Sequence, residues 1–186
     1  MTRVSLFLLC CLATNFATAA TESLPDDSIY QVQSNWLDQY GKTQKLESLR
    51  GKPVAISMVY LSCQYTCPTT ILRMKSLEKM LSDQGEKDIQ FVLVSFDPKH
   101  DTPVVMKKYA VKRSLTYPKW RFLTSKSEPD MRELASLLDF KYKKIEGGEF
   151  EHSFGIIALD KNGRIRGSTV GAAMEEKDLV PLLTRP

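Results

Sequence analysis

The stretch that decides the fold is VAISMVYLSCQYTCPTTILRMKSLEKML, residues 54–81. It opens with a continuous apolar, β-rich run of strand length, which is typical of a strand buried on both faces of a sheet. Pro68 then suits the first turn of a helix, and apolar side chains recur at helical spacing up to a stop signal at Gly85. Between strand and helix stand Cys63 and Cys67. Such a pair is a redox disulfide, a metal-binding pair or two buried thiols. The rest of the chain is needed to distinguish these three possibilities.

The remainder of the chain predicts one α/β domain. A β-hairpin is predicted around Tyr40-Gly41-Lys42, and further strands at 88–97 and 119–125 alternate with helical patterns. Residues 141–171 predict three strands, joined by turns at Gly147-Gly148 and at 160–163, before a last short helix. This alternation predicts a mixed sheet with helices on both faces. A cysteine pair at the carboxyl end of a central strand, opening a helix, is the layout of the thioredoxin fold.

Composition and charge exclude several classes of protein. Of the 186 residues, 42% are hydrophobic and 26% are charged, which suits a globular domain with a real core. The formal net charge of +4 comes from interspersed lysine and arginine rather than from a basic block. A solvated mixed surface is therefore expected, and nucleic-acid binding is not.

The first residues predict export. A short positive start, an apolar run and the small residues Ala17-Thr18-Ala19 are typical of a cleavable signal peptide at 1–19. A flexible lead-in is expected at 20–28 and the folded domain at 29–186. The apolar run is too short for a membrane anchor, so we expect a soluble protein in a bacterial periplasm.

Export makes the cysteine pair informative. Cys10 and Cys11 leave with the signal peptide, so Cys63 and Cys67 remain alone in an oxidising compartment. A structural disulfide between them would close a short loop that stabilises little, and idle exported thiols tend to be oxidised. A functional pair is expected. A helix amino terminus favours thiolate, the form needed for disulfide exchange and for metal binding alike.

A third ligand can be sought among two histidines. His100 lies in a polar turn and is expected to be a solvated loop residue. His152 immediately precedes an apolar strand, and in a thioredoxin-like sheet the loop entering that strand lies against the cysteine-bearing loop. Two thiolates and one imidazole suit copper in either oxidation state. Water, Glu151 or Asp97 remain candidates for a fourth ligand.

Four segments together resemble the SCO/SenC family of copper proteins. They occur in the family's order and cover most of the chain after the leader. They are GKPVAISMVYLSCQYTCP at 51–68, FVLVSFDPKHDTPVVMKKYA at 91–110, KWRFLT at 119–124 and EHSFGIIALDKNGRI at 151–165.

The resemblance implies a thioredoxin-like domain with an inserted β-hairpin. Family members deliver copper to the binuclear copper site of cytochrome c oxidase, or keep the cysteines of that site reduced. Carried over, Cys63 and Cys67 become thiolate ligands and a redox pair, His152 the imidazole ligand, and Asp97 a structural or partner-facing residue. The expected partners are the oxidase subunit carrying that site, a periplasmic thiol reductant and another copper chaperone.

Two departures from the family bear on function. The cysteines enclose Gln64-Tyr65-Thr66 where many members carry a proline and an acidic residue, and Glu151 stands where aspartate is commoner. Two functions stay open: a copper metallochaperone, and a thiol-disulfide oxidoreductase that reduces the copper-site cysteines of a partner. A peroxidase of the peroxiredoxin kind is disfavoured, because the Pro-x3-Thr-x2-Cys pattern is absent from the sequence.

Overall fold

The computed structural model describes residues 23–62, 66–171 and 174–185, with only the backbone of Thr66 and Cys67. The predicted signal peptide at 1–19 and Cys63 lie outside the described residues.

The described chain folds into strands and helices in the alternating order that the sequence predicts. The strands are β1 (Trp36–Asp38), β2 (Thr43–Gln44), β3 (Val54–Val59), β4 (Gln90–Ser95), β5 (Trp120–Thr124), β6 (Tyr142–Lys144), β7 (Phe150–His152), β8 (Ile157–Leu159) and β9 (Ile165–Ser168). The α-helices are α1 (Thr66–Asp83), α2 (Pro103–Lys112), α3 (Glu128–Leu137) and α4 (Glu176–Thr184). Short 3-10 helices occur at Ile29–Gln31, Leu46–Leu49 and Glu146–Gly148.

The core of the domain is a mixed sheet in the order β2-β1-β5-β4-β3-β8-β9, and β6 pairs with β7 in a separate two-stranded sheet. The central strands β3, β4 and β5 are parallel, whereas β1 and β8 join them antiparallel. All residues of β3 and β4 are buried. Because successive side chains of a strand face opposite sides, both faces of the sheet are covered. The predicted fold class, including the N-terminal hairpin and the inserted hairpin, is confirmed.

The helices begin where the sequence predicts. Thr102 caps α2 by accepting a hydrogen bond from the Val105 amide, and Pro103 takes the first helical position. α1 ends just before Gly85, whose φ of +84° continues the chain out of the helix. α1 packs against α4, where Arg73 forms an ion pair with Glu176. In the described part of the chain, no helix is long and apolar enough to span a membrane.

The prediction of three strands in 141–171 is wrong, because the chain forms four there. His152 ends β7 in the separate hairpin rather than introducing the apolar strand β8. The break falls at Gly155, which has a φ of +149° and lies so close to Val170 that a Cβ would be 2.7 Å from its backbone nitrogen. The Ser57 hydroxyl donates a 2.6 Å hydrogen bond to the Gly155 carbonyl, which fixes this break to β3.

Gly163 provides a test of the packing at the other end of the sheet. It has a φ of +81°, and a Cβ there would lie 2.6 Å from the Tyr30 ring and 2.8 Å from the Ser28 hydroxyl. Gly41 has a similar φ of +79° but open space around it. We expect Gly41→Ala to lower the free energy of unfolding by about 1–2 kcal/mol, the cost of the left-handed backbone. Gly163→Ala should lose about 1–3 kcal/mol more through overpacking.

Urea denaturation of the two variants and the wild type measures both losses. Equal losses at the two positions would contradict the close packing of Gly163 against Tyr30.

Candidate metal centre

The site forms where β3 and β4 end side by side. Val59 and Ser95 are register partners in the parallel pair, and the Phe96 amide donates a 3.0 Å hydrogen bond to the Val59 carbonyl. Tyr60 and Phe96 are therefore the first residues beyond two adjacent parallel strands, and their ring centroids are 5.5 Å apart. The carboxyl ends of parallel strands are the usual location of binding sites in α/β proteins.

The His152 imidazole lies on these two rings. Its centroid is 5.5 Å from that of Tyr60, in a perpendicular arrangement, and 5.4 Å from that of Phe96. Phe140 stacks on the imidazole with centroids 6.1 Å apart. The inserted hairpin thus brings His152 to the carboxyl ends of β3 and β4, and Tyr60 precedes Cys63 by three residues in the sequence.

One hydrogen bond orients the imidazole. Nδ1 of His152 lies 2.5 Å from the carbonyl oxygen of Ser153, which can only accept. Nδ1 therefore carries the proton, and in the neutral ring Nε2 keeps its lone pair. A histidine that donates through one nitrogen to a carbonyl is the usual arrangement of a metal-ligating histidine.

The two predicted cysteine ligands are described least. Cys67 is the second residue of α1, and its side chain lies outside the description, as does all of Cys63. The position of Cys67 in the first turn agrees with a thiol held at an electropositive helix terminus. The metal set of Cys63, Cys67 and His152, and the redox role of the cysteines, stay predictions.

The histidine that the sequence predicts to be a solvated loop residue has a partner. Nδ1 of His100 lies 2.7 Å from a carboxylate oxygen of Asp97, and the His100 side chain is 55% exposed. The Asp97 side chain is only 6% exposed. Asp97 thus has a structural contact within its own turn.

Asp101 is a residue near the site that the sequence pattern does not indicate. Its carboxylate is buried and accepts a 2.9 Å hydrogen bond from the Leu61 amide and a 2.5 Å hydrogen bond from the Ser95 hydroxyl. It therefore joins the end of β4 to the segment that leads into Cys63. Burial raises the pKa of Asp101, although these two hydrogen bonds oppose the rise.

The second candidate for a fourth ligand, Glu151, lies exposed opposite Lys143 across the hairpin. Among the side chains that the structure describes, no three histidine, aspartate, glutamate or cysteine residues gather in a metal-binding cluster.

A family model, SCO1/SenC, matches residues 25–182. The chain belongs to the SCO1/SenC family. It is 31% identical over 145 residues to the SCO1 protein homolog of Bacillus subtilis (strain 168), which covers 75% of this chain and 74% of that relative. The resemblance predicted from the cysteine, Asp-Pro and histidine segments is confirmed.

Solved structures of this family share the fold. BsSco, described as a member of the Sco family of cytochrome c oxidase assembly proteins with a disulfide switch, superposes with a TM-score of 0.70 at 25% identity, covering 89% of this chain and all of that one. ScoI of Bradyrhizobium japonicum with copper bound has a TM-score of 0.65 at 23% identity, covering 81% of this chain and 95% of that chain. The second likeness bears on the fold alone.

Replacing Asp101 tests its contribution to this end of the sheet. Asp101→Ala leaves the buried Leu61 amide without its acceptor, so we expect the free energy of unfolding to fall by about 1–3 kcal/mol. Asp101→Asn keeps the size and one acceptor oxygen and should lose less. Urea denaturation at neutral pH measures both losses.

The pH dependence of the same variants tests the raised pKa. A carboxyl whose pKa is raised in the folded state stabilises the fold below its unfolded pKa and loses that contribution as pH rises through the folded value. The stability of Asp101→Asn relative to the wild type should therefore increase as pH rises from below 3.8, the ordinary value. A difference that is flat with pH would contradict a raised pKa.

Proposed function

We propose that this protein binds copper through Cys63, Cys67 and His152 and delivers it to the binuclear copper site of cytochrome c oxidase during assembly of that enzyme. The two cysteines also form a redox-active disulfide, which governs whether copper is held. Water supplies any fourth ligand.

The position of the His152 imidazole carries this proposal. The ring is packed against Tyr60 and Phe96 at the ends of β3 and β4, with Nδ1 bound to a backbone carbonyl and Nε2 left as the metal-binding nitrogen. Three residues of extended chain span no more than about 10 Å, so the covalent connection from Tyr60 keeps Cys63 in the neighbourhood of this ring.

The chemistry of the donor set favours copper. Thiolates are soft ligands that select Cu(I), and an imidazole improves the binding of Cu(II). The description of BsSco as a member of a family of oxidase assembly proteins, with a disulfide switch, supports an assembly role and a redox-active cysteine pair for this family member.

The setting proposed for this function is the bacterial periplasm, reached through the signal peptide at 1–19. Copper binding needs both thiolates, and that compartment oxidises thiols. The protein therefore needs a periplasmic thiol reductant as a partner, in addition to the oxidase subunit that accepts copper and another copper chaperone that supplies it.

The alternative function is a thiol-disulfide oxidoreductase that reduces the copper-site cysteines of the oxidase subunit. The placement of Cys67 in the first turn of α1 favours it, since the helix terminus stabilises a thiolate. In this function the cysteine pair gives two electrons to a partner disulfide and becomes a disulfide itself.

The two histidines provide matched variants that discriminate between these functions. We expect His152→Ala to lower the affinity for Cu(II) by more than about 10- to 100-fold. That range is typical when only a residue that hydrogen-bonds a metal ligand is removed, and here the ligand itself is lost. His100→Ala should leave that affinity unchanged, because its ring is bound to Asp97. Competition titrations of the fully reduced proteins against a copper chelator measure both affinities.

Disulfide reductase activity is measured on the same variants. A chaperone loses copper with His152→Ala and keeps thiol exchange, whereas Cys63→Ser and Cys67→Ser lose both. Wild-type protein that binds no copper in either oxidation state after full reduction would exclude the chaperone function and leave the reductase.

Oxidation should release the metal. Formation of the Cys63–Cys67 disulfide takes two electrons from the two thiolates and removes both from the copper site, so copper retention should fall in proportion to the oxidised fraction. A titration with a dithiol/disulfide buffer under anaerobic conditions, followed by desalting and metal analysis, gives the retained copper. Equal retention by the oxidised protein would contradict thiolate ligation.

A further inference from the structure

A concave surface of about 790 Å³ lies between α3 and the β6–β7 hairpin. Buried residues of the core, among them Phe96, Met131 and Phe140, form its floor. Its rim carries exposed cations from the β5–α3 loop, from α3 and from the hairpin. These cations define the basic pocket, and they are Lys126, Arg132, Lys141, Lys143 and Lys144.

The charge of the basic pocket is almost entirely of one sign. Glu128 is the single carboxylate among its described lining residues, and it forms a 2.9 Å ion pair with Arg132 one helical turn away. Four lysines therefore surround an apolar floor without a carboxylate of the pocket to offset them. Such a surface attracts and orients anionic groups.

One polar group in the lining of the basic pocket is closed to solvent. The Tyr142 hydroxyl is sealed from solvent and has no hydrogen-bond partner among the described residues. A carboxylate bound in the pocket therefore meets the rim lysines and not this hydroxyl.

The basic pocket is continuous with the proposed copper site. Phe96 and Phe140 form part of its floor and also contact the His152 imidazole, with centroids 5.4 Å and 6.1 Å away. Tyr142 is the cross-strand partner of His152 in the hairpin. A molecule bound in the pocket therefore shares the Phe96 and Phe140 side chains with the His152 imidazole.

The shape of the pocket decides which anion it takes. Its volume greatly exceeds that of an inorganic anion, and a concave surface does not fit a flat bilayer. The rings of Phe96 and Phe140 are only 4% and 3% exposed, so they offer no open face for nucleic-acid bases to stack on. An apolar floor inside a cationic rim fits a protein segment that carries carboxylates around one apolar side chain.

We propose that the basic pocket docks such an acidic segment of the oxidase subunit that accepts copper, so that the copper-site ligands of that subunit are brought close to His152. This inference rests on the proposed copper-transfer function. Rim lysines then determine encounter and orientation, and the half-buried side chains of Tyr142 and Phe150 in the lining provide the apolar contact.

The test compares two charge-reversed proteins of equal net charge. Lys126→Glu/Lys144→Glu changes the two sides of the basic pocket, and Lys87→Glu/Lys161→Glu changes exposed lysines at the opposite end of the sheet. The probe is the soluble copper-binding domain of the oxidase subunit, titrated by calorimetry onto the reduced, copper-free proteins. Copper affinity and copper transfer to that domain are measured separately.

We expect the pocket variant to bind the domain about tenfold more weakly at about 0.05 M salt, with the difference shrinking at about 0.5 M. The far-end variant should bind like the wild type, and all three should hold copper equally. The docking inference is overturned if the pocket variant binds the domain as tightly as the wild type, or if the far-end variant loses as much affinity as the pocket variant. In either case, copper transfer by the wild type still upholds the proposed function.

The remaining outcomes also decide. If the domain binds in a way that depends on Lys126 and Lys144 but the protein binds no copper, the docking surface is upheld and the proposed function is excluded. A wild type that does not bind the domain overturns the inference. So does a pocket-dependent association with anionic phosphatidylglycerol vesicles, or self-association in sedimentation that only the pocket variant abolishes.

Discussion

The parallel pairing of β3 with β4 is the constraint on which the site depends. Their register runs without interruption from Val54 opposite Gln90 to Val59 opposite Ser95, so the two strands end together. Two aromatic residues then emerge side by side, and a histidine from a distant hairpin lies on both. A slip of one residue would turn both side chains to the other face and leave the imidazole without its support.

The same edge shows how the cysteine-bearing segment is attached to a rigid frame. Asp101 accepts a backbone hydrogen bond from Leu61 and a side-chain hydrogen bond from Ser95, so the chain shortly before Cys63 is joined to β4. A buried carboxylate is costly unless it is well bonded, and its raised pKa reflects that cost. An apolar side chain at position 101 would avoid the cost of burying a carboxylate, but it would leave the Leu61 amide without an acceptor.

The sequence was sufficient for the architecture because its signals there are local. Continuous apolar runs, Pro68, Pro103 and a glycine in each turn predict strands, helices and hairpins without reference to distant residues. The break between β7 and β8 could not be predicted, since a glycine at 155 is required by the approach of Val170, which follows β9 in the chain, and the break is held by Ser57 of β3. For the same reason the sequence does not indicate the role of Asp101, because its partners are defined by the fold and not by neighbours in the chain.

The division of the site between two supports has a functional consequence. His152 is oriented by the Ser153 carbonyl and by rings on Tyr60, Phe96 and Phe140, none of which lies between the cysteines. In the proposed site, oxidation or reduction of the thiols would therefore leave the imidazole in place. The imidazole of that ligand set would keep its position on the sheet, while the redox state of the two cysteines would determine whether copper is retained.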